Sequence, residues 1–187
     1  PAYYTGSEVT PEVTVTHSGK TLVKDRDFTV TYHNNIEPSS YYNSPWVGID
    51  GIGNYQGYVT KSFTINRADI SSCTVTLSDE SLTYTGSSLR PTATVKSGDK
   101  ELTLNQDYYV SYRNNWDAGT ASAILTGTGN YTGSVTKDFT IKPLDISRYS
   151  ASLSQYSYTS DGTEKCPDVT VTYGDKTLAA GTDFTVS

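Results

Sequence analysis

The chain repeats itself. Tyr4-Thr5-Gly6 returns as Tyr84-Thr85-Gly86 and, loosened by two residues, as Tyr158-Thr159-Ser160-Asp161-Gly162. Pro11 recurs at Pro91 and Pro167, Leu22 at Leu102 and Leu178, and Asp27-Phe28 as Asp107-Tyr108 and Asp183-Phe184. Asn34-Asn35 recurs as Asn114-Asn115, Gly53-Asn54-Tyr55 as Gly129-Asn130-Tyr131, and Thr60-Lys61-Ser62-Phe63-Thr64-Ile65 as Thr136-Lys137-Asp138-Phe139-Thr140-Ile141. The spacing is 80 residues between Tyr4 and Tyr84 and 76 between Phe63 and Phe139. A fixed period of this size means an array of small domains, an arrangement that serves reach or adhesion more often than catalysis. The expected divisions are 1–66 (first copy, its first strand absent), 67–142 (second copy, complete) and 143–187 (third copy, N-terminal half only).

Within each copy the apolar residues keep period two. Val13-Thr14-Val15-Thr16, Ala93-Thr94-Val95-Lys96 and Val169-Thr170-Val171-Thr172 alternate, as do Phe28–Tyr32 and Val135–Ile141. Such alternation predicts strands with one buried face. Ser18-Gly19-Lys20, Ser97-Gly98-Asp99-Lys100, Gly174-Asp175-Lys176 and the Asn pairs supply turn chemistry between them. No segment shows helical periodicity, so the class is all-β. About seven short strands per unit suit tandem immunoglobulin-like sandwiches; a β-grasp-like sheet is the runner-up but needs a helix. The joints Ile65–Ile70 and Ile141–Ile146 contain no Gly/Ser tract, which predicts a semi-rigid row.

Aliphatic residues are scarce for a folded chain, and the core is rescued by Tyr, 16 against 4 Phe, and by many Thr, residues that suit half-buried strands. The net charge of −6 argues against nucleic acid and anionic membranes, whose phosphates need Lys and Arg. No apolar run approaches a membrane span. The chain begins at Pro1 and ends at Val186-Ser187 inside a recurring strand, so the natural protein is expected to extend past both ends. Cys73 and Cys166 fall at different positions of different copies, which predicts free thiols.

Taken together, Tyr-Thr-Gly, Pro, Val-Thr-Val, Asp-Phe/Tyr, Asn-Asn, Ala118-Gly119-Thr120-Ala121, Gly-Asn-Tyr-Thr-Gly and Lys-x-Phe-Thr-Ile resemble tandem bacterial Ig-like repeats of Gram-positive secreted and cell-wall proteins. They are similar to repeats of the MBG and YDG types. The second copy, Asp69 to Ile141, matches best. The resemblance implies an extracellular, secreted or wall-attached location and a role as stalk or accessory module. It implies no fixed catalytic residue.

Conventional chemistry is thinly represented. His17 and His33 lack an evident orienting carboxylate, and no Ser or Cys has a nucleophile setting. Gly127–Gly133 is Gly-rich but lacks a Lys-Ser/Thr ending and leads into a strand, so it reads as a hairpin turn rather than a phosphate loop. Asp25-Arg26-Asp27 and Asp50-Gly51 lack calcium-loop spacing. The expectation is a non-enzyme without metal or cofactor. Lys61 and Lys137 alternate in register with Phe63 and Phe139 and so point to the apolar face. Such a lysine either snorkels to water or is a candidate for an intramolecular isopeptide bond.

The first copy departs from the second between Asn35 and Asn54, where 18 residues stand against 14 between Asn115 and Asn130. The inserted region, Ile36–Trp46, contains Pro38 and Pro45 and the rings of Tyr41, Tyr42 and Trp46; Trp116 lies at the matching hairpin. Flat sugar faces stack on such rings. The sequence therefore favours a structural spacer presenting an adhesive or enzymatic domain. The alternative is a module binding glycans or host glycoproteins through Tyr41, Tyr42, Trp46 and Trp116. Neighbouring domains are the other expected partners. The third copy lacks the partners that would complete its core and should be mobile or pair with another chain.

Overall fold

The computed structural model describes residues 1–187 apart from the side chain of Tyr173. The chain falls into two compact units, Pro1–Lys142 and Pro143–Ser187, the first of which holds two copies of the repeat. The first copy forms β1 (Ala2–Tyr3), β2 (Thr16–His17), β3 (Lys20–Thr21), β4 (Phe28–His33), β5 (Trp46–Gly51), β6 (Tyr58–Ser62) and β7 (Ile65–Asn66). The second forms β8 (Ala68–Asp69), β9 (Thr74–Leu77), β10 (Ser81–Thr83), β11 (Ala93–Ser97), β12 (Lys100–Glu101), β13 (Tyr108–Arg113), β14 (Gly119–Gly127), β15 (Tyr131–Thr132) and β16 (Ser134–Lys142). The third contributes β17 (Ser150–Leu153), β18 (Val169–Tyr173) and β19 (Lys176–Thr177). Among the described residues the helical content is two single 3-10 turns, Ile70–Ser72 and Ile146–Arg148, so the structure is all-β.

The second copy is the most complete. Its β12-β11-β9 sheet is antiparallel, and a second sheet runs β10-β16-β14-β13 with β10 parallel to β16. Val75, Ala93 and Val95 from the first sheet meet Tyr108, Ala123 and Leu125 from the second in one buried cluster. The outward positions of these strands carry Thr, Ser and Lys, as strands covered on one face require. The first copy repeats the second sheet as β4-β5-β6, with β1 parallel to β7 and a smaller core of Phe28, Val47 and Ile49.

One predicted strand is missing. Alternation over Val13–Thr16 predicts a strand, yet the ladder is limited to Thr16–His17 opposite Lys20–Thr21, with one further bond from the Leu22 N–H to the Val15 carbonyl at 2.8 Å. In the second copy the equivalent β11 is laddered by β9, with Ala93 opposite Leu77 and Val95 opposite Val75. Among the described residues no strand lies beside Pro11–Val15, and without a ladder the alternating segment stays irregular.

The repeated polar residues serve the fold. The Asp27 carboxylate accepts a hydrogen bond from the Val23 N–H at 2.8 Å, Asp107 from Thr103 at 2.8 Å, and Asp183 from Ala179 at 2.8 Å. Asn35 and Asn115 are buried, and their side-chain amides donate to the carbonyls of Val9 (3.2 Å) and Leu89 (2.9 Å). Asn34 and Asn114 adopt positive φ, 53° and 52°, which Asn tolerates better than most residues. Tyr112 donates its hydroxyl to the Pro91 carbonyl at 2.6 Å, and Tyr32 does the same to Pro11.

Within the first unit the two copies share one core. Tyr4 and Ile65 of the first copy are buried in the same cluster as Ile70, Val95, Leu102 and Tyr131 of the second. Tyr4 meets Tyr131 edge to face at 5.7 Å, and the Lys100 ammonium lies 3.4 Å from the Tyr4 hydroxyl. The connecting β8 adds in parallel to β15, pairing Ala68 with Tyr131. Asp69 then caps the 3-10 turn by accepting from the Ser71 N–H at 2.9 Å.

The unit Pro143–Ser187 holds one antiparallel sheet, β17-β18-β19, equivalent to β9-β11-β12. Among the described residues no second sheet faces it. Among its described hydrophobic residues Val171 is buried, while Ile146 and Leu153 are exposed.

Candidate functional site

The insertion folds as a stapled turn. Ser40 and Asn43 bond to each other through backbone groups, 2.8 and 3.3 Å, and the Asn43 N–H also reaches the Ser40 hydroxyl at 3.0 Å. The Asn43 side chain donates to the carbonyls of Glu37 (3.0 Å) and Pro38 (3.1 Å). Ser39 ties the loop to β7: its N–H donates to Ile65 O at 2.8 Å, and its hydroxyl accepts from the Ile65 N–H at 3.0 Å. At the far end Pro45 is fully buried, and its carbonyl accepts from the Phe63 N–H at 3.0 Å. The extra residues are thus pinned at both ends and across the middle.

That staple leaves Tyr41 and Tyr42 at the tip, each 93% exposed, with rings edge to face at 5.0 Å. An edge-to-face pair presents one ring face and one ring edge to an incoming molecule, with a hydroxyl on each. Sugars are recognised by that combination of an apolar platform and a few polar groups.

Trp46 is placed differently from the loop platform expected of it. It opens β5, opposite His33 on β4 and Ser62 on β6, and its ring stacks on His33 at 3.9 Å and 14°. The indole is half-buried. Cross-strand register brings Trp46 and His33 together, and spacing along the chain carries no trace of that partnership. Trp116 lies at the equivalent hairpin of the second copy, 59% exposed. The insertion therefore joins Tyr41 to Tyr42 and gives Trp46 to a histidine. Ser40 and Asn43, which hold the pair in place, were legible only as ordinary turn formers.

The remaining candidates take their places in the scaffold. Lys61 lies on β6, exposed, opposite Val47; Lys137 lies on β16, half-buried, opposite Ala123. His17 meets Tyr55 edge to face at 6.0 Å. Gly127–Gly133 forms the turn between β14 and β16, closed by Gly127 N–H to Gly133 O at 3.0 Å. Cys73 is a half-buried free thiol whose ionisation burial pushes up; Cys166 is exposed and free. Among the described residues no three His, Cys, Asp or Glu side chains converge as metal ligands do, and no helix is long and apolar enough to cross a membrane.

Compared with known proteins, the chain matches no family model, no curated protein and no solved structure.

Proposed function

We propose that the chain is a non-catalytic spacer of tandem Ig-like repeats from a bacterial secreted or wall-attached protein, presenting an adhesive or enzymatic domain. The observation that carries this reading is the shared core at the joint, where Tyr4 and Ile65 of one copy are buried among Ile70, Leu102 and Tyr131 of the next. A joint of that kind transmits force and direction, whereas a Gly/Ser tether would not. The repeated Asp, Asn and Tyr residues support it too, because turns and caps already use their polar groups. The Gram-positive location rests on the sequence resemblance. Calorimetry tests the reading: residues 1–142 should unfold in one cooperative transition, and Ile65→Ala should split it into two. Two independent transitions in the parent protein would argue against a load-bearing joint.

A second reading rests on the exposed pair Tyr41 and Tyr42. The stapled turn is a binding edge for glycans or host glycoproteins, carried by the spacer. A glycan and mucin array probed with the parent and with Tyr41→Ala/Tyr42→Ala tests it. Binding by the parent alone is the expected outcome; silence from both, with the variant folded, removes the reading.

A further inference from the structure

Register divides β4, β5 and β6 between two faces. Val30, Tyr32, Val47 and Ile49 turn to the core, and the alternate positions turn outward in three cross-strand rows centred on Trp46, Gly48 and Asp50. The second copy keeps the same register and puts Ser122, Ile124 and Thr126 at those centres. The two copies thus share a core pattern and differ in what they show outward. This face is not where a leading strand packs. In the second copy β9 lies on the other sheet, beside β11, and Ser111, Arg113 and Thr136 of the outward face stay exposed with a whole repeat preceding them.

The outward face of the first copy is built around two rings. Trp46 has His33 on one side, stacked at 3.9 Å, and Ser62 on the other, an exposed side chain too short to cover the second indole face. Two residues along β5, Gly48 offers no side chain, and Tyr58 of β6 lies across the gap. A Cβ on Gly48 would stand 2.8 Å from the Tyr58 hydroxyl, 3.0 Å from a Tyr58 ring carbon and 2.9 Å from Thr31 Oγ1. The phenol therefore lies down on the backbone of β5, 56% exposed, in space that an isoleucine would fill. Asp50 stands opposite Tyr58, half-buried, and among the described residues no hydrogen bond or ion pair takes up its carboxylate.

We infer that this face is a binding site for an uncharged pyranose chain, distinct from the Tyr41–Tyr42 turn. A pyranose offers C–H faces that stack on aromatic rings and hydroxyls that donate to a carboxylate or exchange bonds with Thr and Ser. Both needs are met here, by Trp46 and Tyr58 and by Asp50 with the hydroxyls of Thr31, Thr60 and Ser62 beside them. Acidic sugars and nucleic acids would meet the Asp50 carboxylate on a face whose outward positions carry no Lys or Arg to offset it. Those positions carry no aliphatic side chain either, so a protein partner would find little apolar area to bury beyond the two rings.

The test titrates the whole chain, followed by NMR, with short neutral oligosaccharides of glucose, mannose, galactose and N-acetylglucosamine, and with heparin as the acidic control. At least one neutral oligosaccharide should shift the Trp46 indole signal and the amides of Gly48 and Thr60 saturably, and heparin should not. Tyr58→Ala, at an exposed position, should weaken binding at least about ten-fold through loss of one aromatic anchor. Gly48→Ile should abolish it. That variant installs the residue the second copy carries in the same register, and the atoms it displaces are the ends of the Tyr58 and Thr31 side chains. No response to any neutral oligosaccharide, an equal response to heparin, or binding that survives Tyr58→Ala or Gly48→Ile would each overturn the proposal. Shifts confined to residues 40–43 would overturn it too, and would place the sugar on the turn instead.

Discussion

Asp27 shows how a repeated acidic residue can be conspicuous without being a ligand. Its carboxylate is gripped by Arg26, at 2.8 and 3.1 Å, and by the Val23 N–H at 2.8 Å. Arg26 first and the backbone donor second hold its ionisation below the usual carboxylate range. Asp69 is lowered in the same way by the Ser71 N–H. A carboxylate whose folded pKa lies below its unfolded value, about 4, contributes stability that is fully present above that value. The contribution is lost as pH falls through the folded value. Urea midpoints should therefore hold down to about pH 4 and decline below it, and Asp27→Asn should flatten part of the decline. A decline of unchanged slope in the variant would show that this turn takes no part. The pairing of Asp with Phe or Tyr in each copy was visible in the sequence. Its purpose was not, because the donor sits four residues upstream in a turn whose closure only the folded backbone defines.

Among the elements, the β5–β6 and β14–β16 turns of the first two copies separate backbone strain from contact. Gly133 and Gly57 occupy equivalent positions, both with positive φ, 76° and 97°. Alanine at either site meets the left-handed penalty, about 1–2 kcal/mol. At Gly133 the new Cβ also runs into Asp69, while at Gly57 it meets open space. Gly133→Ala should therefore destabilise the first unit measurably more than Gly57→Ala in urea unfolding; equal losses would mean that the linker does not press on the turn. The insertion teaches a related lesson at this scale. Its length and aromatic content were plain from the chain, and two of its rings do stand free. The third does not, because Trp46 already belongs to a strand whose register sets it on His33.

For the whole molecule, the decisive feature is that the boundary between the first two copies is not a boundary in the core. Ile65 is 1% exposed and sits among residues of both copies. Truncating a buried Ile to Ala costs about 2–5 kcal/mol through lost transfer energy and the cavity left behind. Much of that loss should appear as weakened coupling, which is why Ile65→Ala is expected to separate one calorimetric transition into two. The unit Pro143–Ser187 makes the complementary point: among the described residues its one sheet has no facing layer, and Val171 is the hydrophobic residue it buries.

By itself the sequence determined the all-β class, the repeat and its spacing, and most strand and turn positions, because period-two alternation and turn residues act locally on the backbone. Tertiary structure decided what locality cannot. Alternation at Val13–Val15 produced no strand where no ladder lay alongside, although the same pattern at Ala93–Ser97 did. Trp46 and His33 became a stack through cross-strand register, and Tyr4 and Ile65 became part of their neighbour's core. Each depends on which surfaces meet, and that is set by pairing and packing between segments far apart in the chain.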